Sequence, residues 1–324
     1  MNTNHPKNTI EYIKDNKKID NLQKLTPENS GYRVINSKSL ILRFVKNFKV
    51  YLKFIYSIFK FKREMQNLYN LKDSKLDKSA IVIGNGPSQG YLSVDFLHEF
   101  KKSGGEIFAV NFWNENKRLS TIAPDYLVIS DPYTLNFAIN DARSVFIKKQ
   151  NQLLKDYLEN FYDIKIICPL DNVHEMEKMF PKHKIIGFVD YEVSCFKNIA
   201  PILPRSYNSM TLYKALAISV WLNYHKIYII GMDNTYIKDI FCNKDNHILR
   251  LERHSSGENY LQDISSLYSS IGELVIKLGE SFRHLEKFSN SKNIFNLDPY
   301  SLVDAFPKVD LKGLNTQFSS NKIG

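Results

Sequence analysis

Ala80-Ile81-Val82-Ile83-Gly84-Asn85-Gly86-Pro87-Ser88 is the stretch from which the rest of this chain can be read. Its first four residues are apolar without alternation and mostly β-branched, the pattern of a parallel strand buried on both faces. The chain then turns through two glycines, an asparagine and a proline, and Val94 to Lys102 reads as a helix. A strand, a small-residue loop and a helix in that order let backbone N–H groups approach a phosphate or a ribose. The loop is neither a dinucleotide fingerprint nor a P-loop, because Gln89 stands three after Gly86 and no Gly-Lys-Ser/Thr follows. A tight turn before a helix uses the same small residues, so spacing alone is a weak nucleotide signal.

Further strands are expected at Glu106–Val110, Tyr126–Ser130, Lys165–Cys168, Lys226–Ile230 and Asn293–Leu297. Helices are expected near Phe137–Lys149, Asn172–Met179, Met210–Asn223 and Glu258–Leu285. The polar stretch between Asn234 and Asn259 reads as a loop or lid, and there is no internal repeat. Strands alternating with helices imply an α/β fold, a mostly parallel sheet covered on both faces. In such sheets ligands bind beyond the carboxyl ends of the strands. The segments to inspect are therefore Gly84–Ser88, Asn111-Phe112-Trp113, Asp131-Pro132-Tyr133 and Gly231-Met232-Asp233.

The 324 residues are 43% hydrophobic and 24% charged, which excludes a disordered chain or a coiled-coil rod. Cys168, Cys195 and Cys242 are odd in number and lack CxxC spacing, which argues against a disulfide framework and for a reducing compartment. No secretory leader is visible after Met1. The net charge of +10 is unevenly placed: residues 1–80 hold 17 Lys and Arg against 7 Asp and Glu, and residues 81–324 hold 27 of each. A nucleic-acid enzyme carries basic surface around its active site as well, so nucleic acid is not the expected partner.

The excess charge points to Ser39–Leu71. Arg43, Lys46, Lys49, Lys53 and Lys60 fall on one broad side of a helix, and Phe44, Val45, Phe48, Tyr51, Leu52, Phe54, Ile55, Ile58 and Phe59 fill much of the rest. The uncharged run Phe54–Phe59 is too short to cross a bilayer. Two readings stand: a helix lying on an anionic membrane surface, or a helix packed on the catalytic domain with its lysines outward. The chain then divides into a polar, loosely ordered arm (1–38), a basic aromatic helical segment (39–78) and a catalytic domain (79–324) with its lid at about 234–259.

Taken together, these segments resemble the small bacterial sialyltransferases of glycosyltransferase family 42 and the related motility accessory factors. Ile81–Ser88 is similar to that family's opening strand and loop, and Ala109-Val110-Asn111-Phe112 to its second strand. Asn208-Ser209-Met210-Thr211 and Lys226–Asp233 resemble its helix start, next strand and G-x-D turn. His254-Ser255 resembles the segment of its catalytic histidine, and Asn293–Leu297 with Ser301-Leu302 its final strand and loop. The resemblance covers about residues 79–310.

It implies a Rossmann-like (modified GT-A type) domain that transfers a sialic-acid-type sugar from a CMP-sugar, inverting the anomeric centre without a metal or other cofactor. The acceptor would be a hydroxyl of a bacterial surface glycan, such as a lipopolysaccharide or capsule, at the inner face of the cytoplasmic membrane. Carried over by position, Gly84, Asn85, Gly86, Ser88, Asn111, Asp131, Ser209, Gly231 and Asp233 would hold the donor nucleotide. His254 would be the general base, with His247 its rival in the same stretch, and Tyr236 and Tyr260 would steady the departing phosphate. Arg205 would meet the donor carboxylate or merely a backbone carbonyl. Asp131 stands where the sialyltransferases carry Asn, an acidic residue that the motility accessory factors tolerate. The pattern shows no convincing DxD. Alternatives are a transferase using another nucleotide sugar, a pyrophosphokinase-like enzyme, and a non-catalytic nucleotide-binding protein of envelope assembly. A homo-oligomer is expected through the resemblance alone.

Overall fold

A computed structural model of the chain describes residues 40–72, 75–131, 144–193, 198–207, 209–233, 239–253, 259–265, 270–289 and 293–320. Among them seven parallel strands form one sheet in the order β10-β6-β1-β2-β3-β4-β5. These are β1 (Ser79–Ile83), β2 (Glu106–Val110), β3 (Tyr126–Val128), β4 (Lys165–Pro169), β5 (Ile185–Phe188), β6 (Lys226–Ile230) and β10 (Ile294–Asn296). The fold is α/β and Rossmann-like.

The two-residue alternation of a strand assigns the faces. Ala80 and Val82 of β1 join Phe108, Val128 and Ile229 under the helices α6 (Thr211–Trp221) and α7 (Ile271–Ser289). Ile81 and Ile83 turn the other way, under α3 (Val94–Lys102), α4 (Ser144–Glu159), α5 (Val173–Met179) and α8 (Leu311–Ser320). All four side chains are fully buried, which is why β1 reads as continuous rather than alternating. Ser93 caps α3, its side chain accepting from the Phe96 N–H at 3.0 Å.

At the amino ends of the strands lies a buried charge cluster. Glu106, the first residue of β2, accepts from Lys75 Nζ at 2.7 Å on both oxygens, from Lys78 Nζ at 2.9 Å, and from the Tyr224 hydroxyl. Burial raises a carboxyl, but these donors outweigh it and bring Glu106 down to about 2.

Two expectations need correction. The Asn234–Asn259 stretch is not all loop, nor is Glu258–Leu285 one helix. β7 (Ile240–Cys242), β8 (Ile248–Arg253) and β9 (Asn259–Asp263) form an antiparallel three-stranded sheet, with Leu251 opposite Leu261. The turn Asn243–Asn246 joins the first two, with Asn246 in the left-handed region at φ 60°. α7 begins only at Ile271 and packs Leu274 and Leu278 against Ile248 and Ile264. Of the helix expected over Phe137–Lys149, residues 137–143 lie outside the described residues; from Ser144 it is present and continues past Lys149 to Glu159, burying Leu154 and Leu158 four apart.

Before the sheet stand α1 (Leu40–Lys60) and α2 (Lys62–Tyr69). α2 buries Glu64, Met65 and Leu68. α1 buries Phe54 and Ser57, and with Phe61 it meets Leu170, Val189 and Tyr191 beyond the ends of β4 and β5.

Candidate functional site

The chain runs from β1 outward through β2, β3, β4 and β5, then returns to β1's other side for β6 and β10. The strand order therefore reverses between β1 and β6. A crevice opens at such a switch point beyond the carboxyl ends of the two strands. The segments that follow β1 and β6 are Gly84–Ser88 and Gly231–Asp233, two of the four chosen from the sequence.

These two loops are knitted together. Gly84 N–H donates to the Ile230 carbonyl at 2.8 Å and Gly86 N–H to the Gly231 carbonyl at 3.1 Å. Gly231 N–H donates to Ser88 Oγ, and Ser88 N–H to Asp233 Oδ1, both at 2.9 Å. The glycines permit this approach: a Cβ on Gly84 would lie 2.4 Å from the Gly231 carbonyl oxygen, and one on Gly231 2.2 Å from that of Gly84. Gly231 also sits at φ 74°. Gly84, Ser88 and Gly231 thus build the crevice with groups already bonded to each other. Asn85 differs. It is half-buried, and its side-chain amide has no partner among the described residues.

Asp233 is the second unsaturated group. Its Oδ2 is buried without a hydrogen-bond partner among the described residues, and a Cβ on Gly86 would lie 2.0 Å from it. Beside it is Asp298, just past β10 and buried. Burial and the neighbouring Asp298 carboxyl raise Asp233 to about 6, against the pull of the Ser88 N–H. Burial and a second carboxyl beside it both disfavour the charged form of Asp233. Tyr91 and Tyr300, with ring centroids 6.5 Å apart and both well exposed, flank them. Burial and the charges of Asp298 and Asp233 raise the Tyr91 hydroxyl.

A second group lies one strand over. Asn111 adopts φ 45°, a region asparagine tolerates. Its Nδ2 donates to Thr211 Oγ1 at 3.1 Å, and Ser130 Oγ bonds the same Thr211 oxygen at 2.8 Å. This pins the first residue of α6 to the ends of β2 and β3, so the N–H end of the helix faces the carboxyl edge of the sheet. Ser209 stands two residues before α6, half-buried. Asp131 follows β3, close enough for its charge to act on Lys214.

Arg205 is committed elsewhere. It is buried, with Nε 2.6 Å from Asp190 Oδ1, one terminal nitrogen 2.6 Å from the Tyr207 carbonyl and the other 3.3 Å from Glu192. Lys214 Nζ meets the second Asp190 oxygen at 2.5 Å. The contact to a backbone carbonyl, one of the two roles expected for Arg205, is made to Tyr207.

His254 and Tyr236 lie outside the described residues. Tyr260 lies on β9 opposite Glu252. His247 Nδ1 is 2.8 Å from Asp263 Oδ2, an imidazole held by a carboxylate. Asp263 is itself lowered: burial raises it, but the Ser265 N–H and His247 outweigh that. No group of three His, Cys, Asp or Glu side chains suited to a metal occurs among the described residues.

Asp298, Tyr91 and Tyr300 were not singled out in the sequence. Inspecting the residues after the last strand, as was done for four others, reaches Leu297-Asp298-Pro299-Tyr300 and would have found two of the three.

No protein-family model and no curated protein sequence matches the chain significantly. Among solved structures it is similar to the MAf glycosyltransferase from Magnetospirillum magneticum AMB-1, at 12% identity and a TM-score of 0.42. The likeness covers 80% of this chain and 41% of that one, so this chain spans less than half the length of that structure. A likeness of that size fixes neither activity nor substrate.

Proposed function

We propose that the chain is a glycosyltransferase whose nucleotide-sugar donor occupies the crevice between Gly84–Ser88 and Gly231–Asp233. The observation that carries this reading is the switch point itself. The reversal in the strand order of the described sheet coincides with the loops chosen from the sequence, and there the Asn85 amide and Asp233 Oδ2 have no hydrogen-bond partner among the described residues. In this reading the Asp233–Asp298 pair accepts from the ribose hydroxyls of the donor, and the Asn85 amide donates toward its phosphate. Tyr91 and Tyr300 stack on or hydrogen-bond its exposed parts. The α6 N-terminus, placed by Asn111 and Ser130, offers N–H groups to a phosphate.

The narrower proposal rests on the sequence resemblance: a CMP-activated nonulosonic acid, moved with inversion onto a hydroxyl of a bacterial surface glycan. The acceptor oxygen attacks the anomeric carbon while a histidine takes its proton, and the bond to the phosphate breaks to release CMP. His254 is the proposed base, and Tyr236 and Tyr260 donate to the leaving phosphate without a metal. The His247–Asp263 pair supports a second assignment, since an imidazole oriented by a carboxylate is the form a general base takes.

A turnover assay with a CMP-nonulosonic acid in EDTA tests both. His254→Ala should lower kcat by about a hundredfold or more, with His247→Ala near wild type. The reverse pattern would move the base to His247. Full turnover in both variants would sink the histidine mechanism, and no turnover with any CMP-sugar would sink the donor.

A further inference from the structure

α1 is divided lengthwise into three sectors. Advancing about 100° per residue, Asn47, Val50, Phe54, Ser57, Ile58 and Phe61 share the side that meets the domain, all buried or half-buried. A second sector holds Phe44, Ile55, Phe48, Phe59, Leu52, Val45 and Tyr56, all exposed, from 44% at Val45 to 80% at Phe59. Lys49, Lys60, Lys53 and Lys46 complete the circle as a strip along the far border of that sector. The helix carries five basic residues and no acidic one.

The exposed sector is not left over from loose docking. Ser57 Oγ bonds the Tyr191 hydroxyl at 2.6 Å, Tyr191 donates to Asp171 Oδ1 at 2.7 Å, and Lys53 meets Asp171 Oδ2 at 2.6 Å. These contacts fix the rotation of α1 about its own axis, so the aromatic sector is held outward. The lysine-outward helix expected from the sequence accounts for only one of the two exposed sectors. A row of seven large apolar side chains on one helix exceeds what single surface residues explain.

We propose that the exposed face of α1 docks on an anionic membrane surface. The helix lies flat, its aromatic sector enters the headgroup boundary, and Lys46, Lys49 and Lys60 of the strip meet the anionic headgroups while Lys53 stays with Asp171. Charge selects this occupant over a second copy: pairing two such helices brings basic strips together with no carboxylate on α1 to balance them. No described helix is long and apolar enough to cross a membrane, so the contact is a surface one. α1 is moored to residues just beyond β4 and β5, the edge of the sheet that also carries the crevice. A docked molecule thus presents that edge toward the lipid. The inference concerns α1 alone and stands whether or not the crevice binds a CMP-sugar.

The test is co-sedimentation of the full chain with phosphatidylcholine vesicles, with and without about one quarter phosphatidylglycerol. Wild type should partition onto the anionic vesicles and leave the neutral ones. Phe48→Ser with Phe59→Ser, both exposed, should lower partitioning at least tenfold at an unchanged thermal midpoint. Lys46→Gln with Lys49→Gln should lower it about tenfold and flatten its salt dependence. The proposal is overturned if wild type ignores anionic vesicles or if the serine variant binds as well as wild type. A dimer of wild type that the serine variant splits, without vesicle binding, would overturn it in favour of a second copy.

Discussion

The two ends of one sheet handle buried charge in opposite ways. At the amino ends Glu106 is met by Lys75, Lys78 and Tyr224, and its carboxyl falls to about 2. At the carboxyl ends Asp233 faces a second carboxyl, one of its oxygens lacks a donor among the described residues, and it rises to about 6. The first arrangement saturates its charges and stabilises the fold. The second leaves Asp233 Oδ2 and the Asn85 amide without partners among the described residues, on loops that bond each other at the switch point. Unused polar capacity in a cleft is a signature of a ligand site, because a structural network would have closed it.

The largest expected effect is at the saturated end. Glu106→Ala leaves Lys75 buried without its carboxylate and should cost about 3–5 kcal/mol in urea unfolding. A loss below about 1 kcal/mol would mean that the cluster is not structural. The depressed Glu106 carboxyl also fixes the pH window. Its contribution, about 3 kcal/mol, is present above pH 4.5 and disappears as pH falls toward 2.

At the other end Gly231→Ala drives a Cβ into the Gly84 carbonyl at a positive φ. It should destabilise by about 2–4 kcal/mol. If it is silent, the two loops are not locked together as described.

Asp233 sharpens the contrast because its sign is opposite. Its carboxyl titrates higher folded than unfolded, so the folded state holds the extra proton. Stability should fall by about 3 kcal/mol as pH rises from about 4 to 6, then level off. Asp233→Asn keeps the acceptor for the Ser88 N–H and removes the charge. It should abolish that slope and be neutral to stabilising at pH 7.5. A variant less stable than wild type at pH 7.5 would show that the pair is already satisfied.

How far the sequence reached follows the same division. β2, β6 and α3 were read with the bounds observed, since each is a compact periodic run between glycine, asparagine or charged residues. β5 was missed: Ile185–Phe188 is four residues long, and Gly187 interrupts its apolar run because a Cβ there would lie 2.4 Å from Leu170. β8 and β9 were missed because their half-polar alternation gives a weaker signal than a buried strand. In the site, Asn85, Asp233 and Asn111 could be found by looking past strand ends. That Asp298 meets Asp233, or that Thr211 ties Asn111 to Ser130, depends on pairings across 65 to 100 residues, which no local pattern records. The ion pairs of Arg205 with Asp190 and Glu192 were not foreseen, because those partners belong to a segment read without a strand.

The smallest expected structural effect belongs to Asn85. Asn85→Ala removes a side chain without described partners and should change stability by less than about 0.5 kcal/mol. The same variant provides the most direct test of the crevice. Wild type and Asn85→Ala would be titrated calorimetrically with CMP, UDP, GDP and ADP, first in EDTA and then with Mg²⁺. Binding of CMP in EDTA by wild type, weakened about tenfold or more in Asn85→Ala at equal stability, is the predicted result. Binding of none of the four by wild type, or equal CMP affinity in the two proteins, would contradict the assignment of the switch-point crevice as the donor site.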